Sequence, residues 1–127
     1  MHPDETIRVV VGKVSVELPA SLVKRPDTPI DSASAVYEGA GLIVNVDQGP
    51  FASRLDRHAA QPDYRESSDT TSGIPRRTIY FRSPAHDSYT VATHISSPAL
   101  VTVVVHADAS VPERVATAIV DSIRIHP

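Results

Sequence analysis

The sequence predicts an α+β fold: an antiparallel β-sheet with a C-terminal helix packed on one face and a short middle helix. Three observations predict it. Leu100, Val101, Val103, Val104 and Val105 form a β-branched run too short for a buried helix and bounded by turn residues, which reads as a central strand covered on both faces. Val115, Ala116, Ile119, Val120 and Ile123 then recur at helical spacing and make one apolar stripe, with Glu113, Arg114, Thr117 and Asp121 largely outside it. The remaining strand signals come in runs rather than in strict alternation with helices, the pattern of an antiparallel α+β sheet.

In chain order, 6–11 and 14–18 read as two short strands around a Gly12-Lys13 turn, the second strictly alternating and ended by Pro19. Prolines 19, 26 and 29 make 19–34 a surface connection with at most one helical turn near Ser21 to Lys24. A second hairpin joins 35–38 to 42–46 through Gly39-Ala40-Gly41. Gly49-Pro50 breaks that strand, and 51–60 forms the middle helix, with Phe51 and Leu55 on one side. The stretch 64–71 is polar and weakly strand-like. Gly73-Ile74-Pro75 turns the chain into the strand 76–82, followed by the strand 89–95 and, past Ser96-Ser97-Pro98, the central strand. Ser110 and Glu113 form a capping box that starts the final helix, supported by Pro112. Removing the Ser110 hydroxyl is expected to cost about 1 kcal/mol. Val101, Val103, Val105, Ile119 and Ile123 are expected to form the core.

The 127 residues read as a single domain, 1–127, since no repeat or interior linker divides them. A net charge of −3 gives no electrostatic footprint for nucleic acid, and no apolar stretch is long enough to form a transmembrane segment. The absence of cysteine excludes disulfides, thiolate nucleophiles and sulfur-ligated metals. Met1-His2-Pro3-Asp4-Glu5 leads into no signal-peptide core. The expected location is cytoplasmic as written, or periplasmic or envelope-bound if a leader was removed ahead of Met1.

Val14-Ser15-Val16-Glu17-Leu18-Pro19 followed by a loop, the hairpins, and a closing helix from Val115 to Ile125 that ends in Ser122-Ile123-Arg124-Ile125 resemble the PsbP-like superfamily. That group includes bacterial DcrB-type lipoproteins and chaperones of type VI secretion effectors. The resemblance implies a non-catalytic protein that binds other proteins; it implies no functional residue.

The histidines at 2, 58, 86, 94, 106 and 126 show no His-x-His or His-x₃-His pair that would set two rings on one face. If Ile95 pairs with Leu100, His94 and His106 face opposite sides of the sheet, whereas a one-residue slip brings them to the same side. No metal and no cofactor is expected. Ser83 or Ser88 with His86 and Asp87 are neighbours in a loop rather than a triad, and no Gly-x-Ser-x-Gly elbow or phosphate-binding glycine loop is present. Asp63, Glu66 and Asp69 read as solvated surface. Ten of the 12 basic residues are arginine. Arg54 with Arg57 on the middle helix, and Arg76 with Arg77 at a strand start, are candidates for bidentate contacts to a partner's carboxylates, against the favoured reading of a solvated face. Arg76 and Arg77 must point to opposite faces of their strand. The expectation is a non-catalytic protein-binding or accessory domain of a bacterial protein, with another protein as partner. The alternatives are a secretion-system immunity protein or effector chaperone, and a small hydrolase-like enzyme without a recognisable motif.

Overall fold

The apolar alternation of the chain is satisfied by two antiparallel sheets that share one core. The computed structural model describes residues 5–25, 33–48, 60–71, 73–83, 87–96 and 100–125. The described strands are β1 (Thr6–Val11), β2 (Val14–Pro19), β3 (Val23–Lys24), β4 (Ala33–Gly39), β5 (Leu42–Gln48), β6 (Arg65–Thr71), β7 (Ile74–Ser83), β8 (Ser88–Ile95), β9 (Val101–Asp108) and β10 (Arg124–Ile125); helix α1 spans Glu113–Asp121. One sheet has the order β1-β2-β10 and the other β3-β4-β5-β9-β8-β7-β6, so β9 is the middle strand of seven.

Both expected hairpins form. Val11 pairs with Val14 around Gly12 at φ 60, the glycine-first turn whose twist suits a two-residue hairpin. Gly39 pairs with Leu42, and the loop residues Ala40 and Gly41 both have positive φ, 53 and 79. A Cβ on Gly41 would lie 3.0 Å from a Val111 methyl and 3.3 Å from Asp108 Cβ, so this turn is packed against the entry to α1.

The α+β class is overturned. Strands hold 65% of the described residues, and the helical content among them is the nine-residue α1. Three segments that carry no strong strand signal are recruited by neighbouring sheet edges, where pairing satisfies their backbone groups. Val23–Lys24, expected to lie in a surface connection with at most one helical turn, pairs with Glu38 and Tyr37. The polar β6 pairs along its whole length with β7. Arg124–Ile125, expected to end the helix, pairs with Ser15 and Val14. The middle helix expected over 51–60 falls outside the described residues except for Ala60, which is in a turn.

The C-terminal helix does pack on the larger sheet, against β8 and β9, and it also touches β2. Val101, Val103 and Val105 are 0% exposed, Ile119 2% and Ile123 1%, as the apolar run and helical stripe require. Val14, Val16 and Leu18 of the smaller sheet join the same cluster. The capping box is not formed. Pro112 occupies the N-cap with no side-chain hydrogen bond to the helix. Val111 N–H donates to the Asp108 carbonyl at 2.9 Å, which draws Ser110 into the preceding turn, and Glu113 points to Arg65 instead of back to the cap.

Seven strands at about 4.8 Å spacing span about 29 Å. The smaller sheet lies against β4 and β5, and α1, roughly 10 Å across, covers β8 and β9. Among the described residues, the α1-side face of β6 and β7 is therefore left over, and the cleft described next lies there.

Candidate functional site

Register places Arg65, Ser67 and Asp69 of β6 opposite Tyr80, Thr78 and Arg76 of β7, and Thr78 opposite Thr93 of β8. These side chains share the face on which α1 lies. Those of Arg65, Ser67, Asp69, Arg76, Thr78 and Tyr80 line, with Glu113, Thr117 and Asp121 of α1, a cleft of ≈ 480 Å³.

Each end of the cleft is an ion pair between sheet and helix. At one end Arg65 Nη2 donates to Glu113 Oε1 at 2.8 Å, and its guanidinium lies 3.9 Å over the Tyr80 ring. The bond to Glu113 raises the Arg65 pKa. At the other end Arg76 donates through Nε to Asp69 Oδ1 at 2.7 Å, through Nη2 to Asp69 Oδ2 at 3.2 Å and Asp121 Oδ1 at 2.6 Å, and through Nη1 to the Val120 carbonyl at 3.0 Å. Its hydrogen bonds to Asp69 raise the Arg76 pKa against the opposing effect of burial, and hold the Asp69 carboxyl below its ordinary range. The two ends match in length. Four residues of strand from Arg65 to Asp69 rise about 13 Å, and eight residues of helix from Glu113 to Asp121 rise about 12 Å, so α1 runs alongside β6 in the same direction.

Hydroxyls line the waist between the ends. Ser67 and Thr78 stand opposite one another, Thr78 Oγ1 lies 2.9 Å from Thr93 Oγ1, and Thr117 is midway along the helix between Glu113 and Asp121. Behind the Arg65 end, Tyr80 and Tyr89 stack at 5.7 Å between centroids, and Tyr89 donates to the Val111 carbonyl at 2.7 Å. Burial raises the Tyr89 phenol pKa. The cleft thus offers fixed charges and hydroxyl groups. A carboxylate whose proton affinity is lowered by a bidentate arginine is a poor base near neutral pH.

Arg76 and Arg77 point to opposite faces, as their adjacency requires. Arg76 is spent on the cleft, while Arg77 Nη2 donates to Glu66 Oε1 at 2.7 Å and to Tyr64 Oη at 3.4 Å on the far face. Tyr64 also donates to Glu66 at 2.6 Å, and that bond raises its phenol pKa. Arg54 and Arg57 lie outside the described residues, as does His86. The three carboxylates read as solvated surface all face arginines: Asp69 faces Arg76, Glu66 faces Arg77, and Asp63 lies 3.9 Å from Arg82.

The histidine register is corrected. Ile95 pairs with Val101, not Leu100, so His94 stands opposite Thr102 and His106 opposite Thr90, and both rings are on the face away from α1. Each Nδ1 lies 2.9 Å from the hydroxyl of its threonine. The two pairs are four residues apart along β9, about 13 Å, so the rings do not converge. Among the described residues no three His, Asp or Glu side chains gather as a metal would need. No described helix is long and apolar enough to cross a membrane.

Sequence reasoning missed Arg65, Glu113, Thr117 and Asp121 as a group. The signal was available: the helix residues recur every four positions, and a turn at Gly73 sets Asp69 against Arg76. No family model matches the chain, and no curated protein matches it.

Proposed function

We propose that this chain is a non-catalytic protein-binding domain that takes up an extended segment of another protein along β6. The observation that carries this reading is that the cleft opens beside a strand edge: β6 ends the seven-stranded sheet, and among the described residues no strand pairs with its outer side. A segment added there gains main-chain hydrogen bonds from the edge, and every second side chain faces α1 beside Ser67, the small residue between Arg65 and Asp69. Arg65, Glu66 and Asp69 on the edge discourage indiscriminate pairing, because a docking strand must match fixed charges. The PsbP-like resemblance supports the same class of function. It adds an accessory role in a bacterial cell, as effector chaperone, immunity protein or envelope component, that rests on the sequence features alone.

The test is selection of peptides from a random-sequence display library against the full chain, followed by backbone amide shift mapping with the strongest binder. Shifts concentrated in 65–71 and 113–121 are expected. Binders that map to any other surface overturn the reading.

A further inference from the structure

We infer that the segment bound along β6 presents a lysine or arginine to the Asp69–Asp121 end of the cleft and an uncharged polar residue two positions away at the hydroxyl waist. This rests on β6 being the docking edge and names the chemistry of what docks there.

The two ends differ in charge. Arg65 and Glu113 form a one-to-one pair, so that end is neutral. At the other end, among the described residues, one guanidinium, Arg76, serves two carboxylates, Asp69 and Asp121, leaving a net charge of −1. Exposure sharpens the difference: the Arg76 side chain is 9% exposed, while those of Asp69 and Asp121 are 51% and 53% exposed. The positive charge is set back and the carboxylates face the opening. Asp121 uses Oδ1 on Arg76, and its ionised carboxylate has the capacity to accept further bonds through Oδ2.

Arg76 also fixes the carboxylates in place. Its bidentate hold on Asp69 and its bond to the Val120 carbonyl set the geometry before any ligand arrives, so a cation docking there orders few additional groups. An acidic side chain at the same position meets two carboxylates with their shared cation buried behind them. At the waist, Ser67, Thr78 and Thr117 offer hydroxyls about 6 to 7 Å along the strand from either end, the distance between side chains two residues apart on one face. A residue that hydrogen-bonds without charge fits there. The Arg65 guanidinium, held over Tyr80 and by Glu113, closes the far end against a second cation.

The experiment uses three capped heptapeptides, SVKVSVS, SVEVSVS and SVSVSVS, titrated into the ¹⁵N-labelled full chain and into its Asp121→Asn variant at low and high salt. The lysine peptide is expected to shift the β6 amides and to bind at least about tenfold more tightly than the glutamate peptide, a preference that shrinks as salt screens the pair. In Asp121→Asn the preference is expected to fall to about threefold or less. The dispersed amide spectrum of the ligand-free variant, compared with that of the parent chain, reports that it is folded and its edge intact. Equal binding of the lysine and glutamate peptides, or a preference unchanged in Asp121→Asn, overturns the inference while β6 stands as the docking edge. If none of the three shifts the β6 amides, the docking edge itself is wrong, and the inference falls with it.

Discussion

Arg76 Nη2 lies 2.6 Å from Asp121 Oδ1 while the same guanidinium holds Asp69, so one side chain of β7 ties the last strand of the larger sheet to the last turn of α1. Replacing Arg76 with Met keeps the apolar stem and removes the charge, leaving two carboxylates and the Val120 carbonyl without their donor. Because both carboxylates are half-exposed, water recovers part of the loss. The expected destabilisation is about 2 kcal/mol, measured by urea unfolding at neutral pH. A change below about 0.5 kcal/mol would mean that the helix is held by its apolar stripe alone.

Asp69 makes that connection depend on pH. Its folded pKa lies below the ordinary value of 3.8 because Arg76 stabilises the carboxylate. A group depressed in the folded state contributes stability above its unfolded pKa and loses it as pH falls through the folded value. The parent chain is therefore expected to be more stable than Asp69→Asn at pH 7, with the gap narrowing below about pH 4. Unfolding midpoints of both proteins between pH 7 and pH 3 check this. A gap constant across that range would show that the interaction with ionised Asp69 contributes nothing.

Ser110 tests where α1 begins. The capping box in the sequence predicts a loss of about 1 kcal/mol on removing its hydroxyl. With Pro112 at the N-cap and Ser110 exposed in the turn before it, Ser110→Ala is instead expected to change stability by less than about 0.5 kcal/mol. Thermal or urea unfolding distinguishes the two.

Legibility in the sequence followed the burial of each element. The β-branched apolar run of β9 and the 3.6-residue apolar stripe of α1 were readable because both elements are built into the core, and the residues expected there are buried. β6 buries little. Its seven residues are all polar and 65–70 are exposed, and what makes them a strand is β7 beside them, which no local pattern encodes. The β8–β9 register failed for a related reason: 96–100 carries no two-residue turn signature, and a shift of one residue changes which face every side chain takes. Asp69, Arg76 and Asp121 were each visible as charged residues. Their meeting depends on a hairpin register and a helix position together, so the cleft became visible only when both were known.

Ser122 closes the fold in a way its neighbours in Ser122-Ile123-Arg124 do not reveal. It is the C-cap of α1, where its hydroxyl donates to the Ile119 carbonyl at 2.6 Å and accepts from the Glu17 N–H of β2 at 2.8 Å. Arg8 of β1 reaches the Ser122 carbonyl at 3.2 Å and pairs with Glu17 at the same distance. One residue thus ends the helix and supplies β2 with a hydrogen-bond partner next to the two-residue β10. Ser122→Ala removes both hydroxyl bonds. The Glu17 N–H is near the surface, so water replaces part of the loss, and the expected cost is about 1 kcal/mol. Ser122→Thr keeps the hydroxyl and is expected to retain most of the stability. Amide exchange separates this account from a general loss of helix: protection at Glu17 should fall selectively in Ser122→Ala and recover in Ser122→Thr, because local opening at that edge no longer breaks a side-chain bond. Equal protection at Glu17 in all three proteins would mean that the smaller sheet is held to the rest by the Val14, Val16 and Leu18 core alone.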